Sequence, residues 1–381
     1  MWLGEVRVRA GQGSGAVGQL SIGQRDGAID NGGPQLDLLP SRPAAAPGLP
    51  ILDERNRGTK FIGLPINSVL NTPASTRMGF WSLNPYVGCE FGCMYCYARD
   101  THRWTMERAE ASLVSSFPRS TLPPEEAFEK EILVKTDVAE VLARTLNPAR
   151  LAGQSLVIGT ATDPYQPAER QFRLTRRILE VLRSYHGLSI EIITKSTLVT
   201  RDLDLLQALS TRHEVAVNVS LATADARLAR LLELRSPVPA ARLRALRRLI
   251  DGGIYTGLLV APIIPGVTDD WAGLARLLEA AKEAGARYVV GSALRLGPAA
   301  RHRFLPFLTR EFPALAERYR RHYAGKDHVS QSYQDALDRR LRLLRQTYGF
   351  PEEEGMRRRR QLEDRMPRKE TADSAEQAIL L

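Results

Sequence analysis

Three cysteines lie within eight residues of this chain: Cys89, Cys93 and Cys96, at C-x3-C-x2-C spacing. The 381-residue sequence contains no other cysteine. Four thiolates complete a tetrahedral zinc site or occupy every corner of a cubane iron–sulfur cluster, whereas three leave one metal position open. An open position on a metal centre indicates chemistry rather than scaffolding, so this segment is the candidate active site.

Two metal centres fit three thiols of this spacing. Three thiolates can bind three irons of a [4Fe–4S] cluster, whose fourth iron then takes an outside ligand. Alternatively, His102 completes a zinc site at C-x3-C-x2-C-x5-H spacing, which is uncommon for zinc. We favour the cluster, and we expect Gly88 and Gly92 to let the backbone bend closely around it.

The composition is that of a globular protein with excess positive charge. Hydrophobic residues make up 43% and charged residues 25% of the chain, and the formal net charge is +10. In residues 301–350, eleven Lys or Arg stand against five Asp or Glu. Such a surface favours a polyanionic partner, DNA or RNA first, although a solvated basic face produces the same count.

Thiols clustered in one segment, rather than spread in pairs, favour a reducing compartment. The first residues include Glu5, Arg7 and Arg9 without an apolar core, so we expect no signal peptide. No run of about 18 apolar residues occurs, so we expect no membrane span and no membrane partner. The predicted location is the cytoplasm, and the sequence leaves the oligomeric state open.

Short apolar strands alternate with helices along most of the chain. The predicted strands are 80–83, 155–158, 189–193, 214–219, 256–260 and 287–290. The predicted helices are 97–115, 125–146, 169–185, 201–212, 223–234, 239–251, 269–284, 299–323 and 331–347. Six strands with intervening helices indicate parallel βα units. We therefore predict an α/β fold, a partial (β/α)6 TIM-like barrel.

Composition divides the chain into four predicted segments. Residues 1–55 are rich in Gly, Ala, Pro and Asp and are predicted to be a disordered N-terminal segment. The barrel with an N-terminal arm occupies 56–298, and a basic helical extension occupies 299–350. The charged tail, 351–381, contains four consecutive arginines.

Unusual residues fall where the predicted strands end. The cysteines follow the first strand, residues 160–166 the second, Lys195 the third, Ser220 the fourth and residues 262–266 the fifth. In barrels of parallel strands, catalytic side chains lie at the carboxyl ends of the strands. We therefore expect these positions to meet the cysteines in one site.

An aromatic residue, Tyr95, directly precedes the third cysteine, and the segment thereby resembles the radical S-adenosylmethionine (SAM) superfamily, whose signature is C-x3-C-x-aromatic-C. The resemblance implies a [4Fe–4S] cluster whose open iron chelates the amino and carboxylate groups of SAM. It also implies reductive cleavage of SAM to a 5′-deoxyadenosyl radical, which abstracts hydrogen from substrate. A flavodoxin- or ferredoxin-type protein is the implied electron donor.

Further segments resemble the spore photoproduct lyase-like, or DNA repair photolyase-like, branch of that superfamily. They are residues 84–99, 159–166, 193–196 and 259–266. The resemblance covers about residues 60–320. With the basic C-terminal half, it favours nucleic acid as the substrate class over a peptide or small molecule. A non-enzymatic, zinc-bearing nucleic-acid-binding protein is the remaining alternative.

The resemblance implies positions for the adenosine part of SAM. Tyr95 is implied to pack near the adenine, and Ile263 and Ile264 to give it apolar cover. Ser220 matches a ribose-contacting position. Ser220 is also suited to be an ordinary cap of the helix predicted at 223–234.

Three further positions are implied to bind the methionine part of SAM. Thr162 and Asp163 lie where the superfamily meets the SAM amino group, and an acid there suits an ammonium. Lys195 matches a lysine that reaches the SAM carboxylate in this branch. Asp163 followed by Pro164 is also an ordinary turn, and a lysine at a strand end is often simply solvated.

The sequence departs from spore photoproduct lyase at the hydrogen-donating cysteine. That enzyme uses a cysteine outside the cluster to return a hydrogen atom, and Thr160 takes its place here. A threonine hydroxyl holds its hydrogen too strongly to replace a thiol, and the chain has no fourth cysteine. A thiol donor within the chain is therefore excluded. Tyr165 is a candidate donor, or a packing residue beside Pro164.

Overall fold

The protein is described by a computed structural model that covers most of the chain between residues 50 and 351. The described residues are 50–55, 58–76, 78–103, 120 and 122–351. The predictions for residues 1–49, for the tail beyond Pro351 and for residues 104–115 of the first predicted helix lie outside them. Residues 51–55, predicted to be disordered, form a strand.

The strands of the described residues belong to two sheets. They are β1 (Ile51–Arg55), β2 (Thr59–Gly63), β3 (Leu70–Asn71), β4 (Trp81–Leu83), β5 (Tyr86–Val87), β6 (Glu131–Val134), β7 (Ser155–Ile158), β8 (Ser189–Thr194), β9 (Glu214–Ser220), β10 (Tyr255–Ile263) and β11 (Val289–Ala293). The larger sheet has the order β11-β10-β9-β8-β7-β4-β3, and the smaller has the order β1-β2-β6-β5.

Six consecutive strands of the larger sheet are parallel, from β4 to β11. Only the short edge strand β3 runs antiparallel to its neighbour, β4. β3 and β11 are the two edges, so the sheet is an open, partial barrel. The predicted α/β fold is confirmed, and the carboxyl ends of all six parallel strands lie at one edge of the sheet.

The smaller sheet contradicts one prediction. The sequence predicts a single helix over 125–146, but residues 131–134 form β6, which pairs with β2 and β5. Ile132, Leu133 and Val134 are at most 1% exposed. The helical pattern on either side of this short apolar run concealed it, because a buried strand of four residues has no period of its own.

Helices connect and cover the strands. They are α1 (Pro73–Thr76), α2 (described over 99–103), α3 (Pro124–Lys130), α4 (Val138–Thr145), α5 (Glu169–Phe172), α6 (Leu174–Leu182), α7 (Leu203–Ser210), α8 (Ala226–Leu232), α9 (Pro239–Asp251), α10 (Trp271–Glu283), α11 (Pro298–Glu311), α12 (Pro313–His322) and α13 (Gln331–Thr347). Helices α9 and α13 have the predicted bounds.

Two other predicted helices are each divided in two. The helix predicted at 169–185 breaks between α5 and α6 at Arg173, which adopts a left-handed φ of 51°. The helix predicted at 299–323 breaks at Phe312, because Pro313 cannot donate the next helical hydrogen bond. The strand predicted at 287–290 begins two residues later, at Val289.

Apolar side chains gather in two clusters. The larger one lies between the main sheet and its helices and includes Ile158, Ile192 and Leu258. The second, which we call the site cluster, joins the cysteine loop to α11 and α12. Its members include Cys89, Cys93, Tyr95, Phe304, Phe307 and Tyr319. The C-terminal helices therefore form one wall around the cysteine loop.

Asp100 of α2 fixes the start of α11. Its Oδ1 accepts a hydrogen bond of 2.9 Å from the backbone N–H of Ala299. A Cβ at Gly297 would collide with the same carboxylate, so the glycine permits this contact. None of the helices within the described residues combines the length and apolar composition needed to cross a bilayer.

Candidate active site around the cysteine loop

The cysteine loop, residues 88–96, is held by backbone hydrogen bonds from two sides. The N–H of Cys89 donates to the carbonyl of Phe128 in α3 at 2.9 Å. On the other side, the N–H of Met94 donates to the carbonyl of Leu232 in α8 at 2.9 Å, and Cys93 forms an isolated bridge with Glu233. The loop is thus fixed between α3 and the segment after α8.

Gly88 and Gly92 both adopt positive φ, 97° and 62°. A Cβ at Gly88 would lie 2.8 Å from the carbonyl oxygen of Phe128, and one at Gly92 would collide with the guanidinium of Arg235. Close packing against α3 and Arg235 therefore requires glycine at both positions. A bulky ligand is not needed to explain the two glycines.

The residues after β7 support the loop. The hydroxyl of Thr162 donates to the carbonyl of Gly88 at 2.6 Å, and the amide of Gln166 donates to Thr162 Oγ1 at 3.1 Å. The Gln166 carbonyl accepts from the N–H of Glu90 at 2.9 Å. Thr162 thus contacts the loop backbone, and its partner Gln166, the last residue of the segment 160–166 that was expected to meet the cysteines, supports the loop as well.

Asp163 joins the end of β7 to the end of β8. Its carboxylate accepts from the Thr194 hydroxyl and from the N–H of Lys195, both at 2.7 Å, and from the N–H of Tyr165 at 2.9 Å. Burial raises the pKa of this carboxyl, and these donors counteract the effect. The charge of Asp163 also raises the pKa of Cys89, second only to burial.

Lys195 and Ser220 meet beside the second thiol. Lys195 Nζ donates to Ser220 Oγ at 3.1 Å and lies 5.7 Å from the centre of the Tyr95 ring. Burial lowers the pKa of Lys195, but the negative charges of Cys93 and Glu233 outweigh it, so the net shift is upward. Sequence analysis predicted that these strand ends converge, and the structure brings them together.

Glu233 connects Tyr95 to a buried arginine. The Tyr95 hydroxyl donates to one carboxylate oxygen, and the Arg242 guanidinium donates to the other. Arg242 also donates to the carbonyl of Ser220 at 3.0 Å. Burial opposes the charge of Glu233, but Arg242 and then Lys195 outweigh burial and lower its pKa. Glu233 and Arg242 are not among the site residues that the sequence predicts.

A second buried carboxylate, Glu129 of α3, gathers arginines behind the loop. Its partners are Arg99, Arg235 at 2.6 Å and Arg303 at 3.7 Å. Arg99 also donates to the carbonyl of Cys93 at 2.8 Å. Burial opposes the charge of Glu129, but Arg99 and Arg235 outweigh burial and lower its pKa. These contacts fix the backbone on both sides of Cys93.

The remaining predicted residues lie in different surroundings. Ile264 belongs to the site cluster, whereas Ile263 belongs to the larger core. Tyr165 is fully buried in that core, beside Arg201, which places its ring among packing residues. The Thr160 hydroxyl accepts from the Asn84 amide at 3.1 Å. Ser220 does not cap α8, because Asp225 accepts from the first free N–H groups of that helix.

Comparison with known proteins supports a single family. The family model described as the radical SAM superfamily matches residues 83–278, just over half of the chain. The matched region includes the cysteine loop and the strand ends that carry Asp163, Lys195 and Ser220. The chain belongs to the radical SAM superfamily. The resemblance drawn from the cysteine spacing is thereby confirmed, and the protein is an enzyme.

Relatives with similar sequences cover from about half to four fifths of the chain. The uncharacterized protein Rv2578c of Mycobacterium tuberculosis is 32% identical over 315 residues, which is 80% of this chain and 88% of the relative. The uncharacterized protein MJ0683 of Methanocaldococcus jannaschii is 29% identical over 187 residues, covering 49% of this chain and 61% of the relative.

Solved structures of spore photoproduct lyase share the fold. A mutant with bound AdoMet and dinucleoside spore photoproduct aligns with a TM-score of 0.53 and 15% identity, over 70% of this chain and 74% of that chain. A complex of the enzyme with dinucleoside spore photoproduct gives a TM-score of 0.51 and 16% identity, again over 70% and 74%. At this identity the likeness shows the fold alone.

Membership in the radical SAM superfamily implies two cofactors, a [4Fe–4S] cluster and SAM. The thiols suit a cluster, because Cys89 and Cys93 are buried, Cys96 is partly buried, and the charges of Cys93 and Cys96 raise the pKa of Cys89. Burial is the larger cause and raises the pKa of Cys93 to about 12. Thiols in such surroundings are inert until a metal replaces their protons.

Side-chain geometry bears on the choice between the cluster and the zinc alternative. Among the residues that the structure describes, no three His, Cys, Asp or Glu side chains converge on a single metal ion. A cubane needs no such convergence, since each thiolate binds a separate iron. His102, the proposed fourth zinc ligand, instead places Nε2 3.1 Å from the carbonyl of Glu131. The geometry therefore fits the cluster.

Proposed function

We propose that Cys89, Cys93 and Cys96 hold the [4Fe–4S] cluster and that SAM binds between them and the carboxyl ends of β7–β10. The observation that carries this proposal is the meeting of Lys195 and Ser220 beside Tyr95 and the second thiol. When bound, the cofactors supply reductive cleavage of SAM to a 5′-deoxyadenosyl radical for hydrogen abstraction from substrate.

The side chains at the strand ends bind and orient SAM in this proposal. Lys195 keeps a positive charge for the SAM carboxylate, and Asp163 offers a carboxylate to the SAM ammonium. Ser220 contacts the ribose, while Tyr95 and Ile264 give apolar cover to the adenine. Ile263 adds to this apolar cover from the core behind Ile264. Thr162 acts by holding the backbone of Gly88.

Anaerobic SAM binding tests the pocket. Lys195→Met removes the positive charge while keeping the length of the side chain, so we expect the Kd for SAM to rise at least tenfold. Lys282→Met is the matched control, because Lys282 lies on α10 and donates to the carbonyl of Gly349 at 3.0 Å. Equal Kd values for Lys195→Met and the control would contradict the proposed pocket.

We also propose nucleic acid as the substrate class. Several arginines of residues 301–350 are engaged within the protein, as Arg345 is with the carbonyl of Val289, so the full excess of charge does not face solvent. Arg318, however, is exposed and lines a cleft with Pro265, which follows β10. Positive charge therefore adjoins the end of the sheet that the substrate must reach.

The salt dependence of binding tests this substrate class. A single-stranded DNA or RNA oligonucleotide should bind with log Kd rising steeply against log salt, and Arg318→Ala should lower that slope by about one. Arg227→Ala, at the start of α8, is the matched control with an exposed arginine. Binding that is absent at low salt would instead favour a peptide or a small molecule.

A further inference from the structure

Four arginines surround two glutamates on the side of the cysteine loop that Arg235 covers. They are Arg55 with Glu90, and Arg99, Arg235 and Arg303 with Glu129. Within this cluster, four positive charges stand against two negative charges, an excess of two positive charges. Arg99 is buried, whereas the side chains of Arg55, Arg235 and Arg303 are 36%, 40% and 33% exposed.

Arg235 connects this surface directly to the loop. Its N–H donates to the carbonyl of Phe91 at 3.2 Å, and its guanidinium donates to the carbonyl of Glu90. Both acceptors lie between the first and second cysteines. A molecule that touches Arg235 from solvent is therefore one side chain away from the backbone of the cysteine loop.

Two exposed aliphatic residues lie close to Arg235 in the chain, one directly before it and one three residues after it. Leu234 and Val238 are each 40% exposed, and they are among the few large hydrophobic residues of the described chain that are exposed to this degree. Exposed apolar side chains mark protein interaction sites, and arginine is enriched at protein interfaces. Nucleic acid is favoured instead by positive charge with exposed aromatic rings, and the set Arg55, Leu234, Arg235, Val238 and Arg303 includes no aromatic residue.

The surface is separate from the proposed SAM pocket. Lys195 and Ser220 approach the loop through Tyr95 and Cys93, whereas Arg235 approaches it through Glu90 and Gly92. A partner bound at Arg235 therefore leaves the carboxyl ends of the strands open to substrate.

Superfamily membership also implies a reductant that must deliver electrons to the cysteine site.

We propose that the surface formed by Leu234, Arg235, Val238, Arg55 and Arg303, the donor face, docks an acidic electron-transfer protein. The proposal rests on the proposed function, because it assumes a redox centre at the three cysteines. At each encounter the reduced carrier loses one electron and the cysteine site gains it. No covalent bond forms or breaks, and negative charge on the carrier complements the arginines.

Direct binding of an acidic flavodoxin tests the donor face without depending on activity. The variant is Leu234→Glu with Val238→Glu, which adds two negative charges and leaves every arginine in place. The matched control is Leu343→Glu, because Leu343 is 54% exposed on α13, outside this surface. Titration calorimetry at low salt, with oxidised flavodoxin, gives the Kd for each protein.

We expect the double variant to bind flavodoxin at least tenfold more weakly than the natural protein, and the control to bind within twofold of it. With flavodoxin and its reductase as the electron source, SAM cleavage should fall in the double variant. With dithionite, which needs no docking, cleavage should be unchanged. Binding by the natural protein should also weaken as salt increases.

Several outcomes would overturn the donor face. The natural protein could bind no flavodoxin, or the double variant could bind it as tightly as the natural protein does. The control could lose as much affinity as the double variant. Finally, the double variant could lose oligonucleotide binding while it still binds flavodoxin. Failure of the proposed function looks different, because the natural protein would then cleave no SAM even with dithionite. If the natural protein cleaves SAM normally with dithionite but the double variant binds flavodoxin as well as the natural protein does, only the donor face is ruled out.

Discussion

Glu233 is the residue that ties the cysteine loop to the barrel. It receives the Tyr95 hydroxyl from one side and the Arg242 guanidinium from the other, and all three side chains are at most 4% exposed. Nothing in its local sequence marks it, since Tyr95 is 138 residues away in the chain. A buried carboxylate of this kind becomes visible only when its partners are known.

Replacing Glu233 by Met should destabilise the protein, because it leaves the buried charge of Arg242 without a carboxylate. We expect a loss of about 3 kcal/mol in the free energy of unfolding, measured anaerobically by urea denaturation. Glu233→Met combined with Arg242→Met should lose clearly less, since no unpaired charge remains. Equal losses in the single and double variants would show that the charge pair does not matter.

Lys135, directly after β6, gives the fold a pH dependence. Burial lowers its pKa from the usual 10.5 to about 8. Between pH 8 and pH 10.5 the unfolded chain therefore binds more protons than the folded protein, so stability rises with pH across that window. Below about pH 8 the lysine is charged in both states, and the full cost of its burial is present.

Lys135→Met should raise the free energy of unfolding at pH 7 by about 2 to 3 kcal/mol, because it removes that cost. The advantage should shrink as the pH rises from 8 towards 10.5, where the natural lysine is neutral when folded. Urea denaturation at several pH values measures it. An advantage that does not change with pH would contradict the buried charge.

The bounds of a helix or strand were predicted correctly where the residues of that element determine them. The buried run of β7 and the proline that begins α9 gave bounds that the structure confirms. β6 was predicted as helix, because its strand character comes from pairing with β2 and β5 rather than from its own pattern. The break at Arg173 has no sequence signal, since a left-handed φ is unusual for arginine.

Helix α11 depends on a carboxylate from another helix. Asp100→Ala removes the acceptor for the N–H of Ala299, and we expect a loss of about 1 kcal/mol in stability. Asp270→Ala is the matched control, because Asp270 accepts from the N–H of Gly273 at the start of α10. Both variants lose a helix cap, but only the first loosens a wall of the cysteine loop.

The difference between these two variants should appear at the thiols. In protein without cofactors, a thiol reagent should label the cysteines severalfold faster in Asp100→Ala than in Asp270→Ala. Hydrogen exchange should likewise accelerate in α11 only for the first variant. Equal labelling rates would show that α11 does not shield the loop.

At the scale of the whole molecule, topology explains why the site could be predicted in part. Parallel strands bring their carboxyl ends to one edge, so the cysteines, Asp163, Lys195 and Ser220 were expected together. Arg242 and Glu129 lie within helices, where such residues usually face solvent. Their burial follows from how α3 packs on the cysteine loop and how α9 packs on β9 and β10, and no rule of strand ends predicts it.

For the C-terminal helices, too, the sequence does not predict which side chains are buried in the site. The sequence indicated a basic extension from residue 299, and its charge pointed to a surface role. In the structure, Phe304, Phe307 and Tyr319 pack in the site cluster with the cysteines. One face of α11 and α12 thus completes the site while the other carries charge, and only tertiary packing assigns the two faces.

We propose that the three cysteines hold a cluster at which SAM is cleaved, and metal content together with SAM turnover tests this proposal most directly. After anaerobic reconstitution we predict a brown protein with about four irons per chain. With dithionite and SAM it should form 5′-deoxyadenosine, and Cys93→Ala should abolish both. A colourless protein with one zinc per chain and no 5′-deoxyadenosine would contradict the claim.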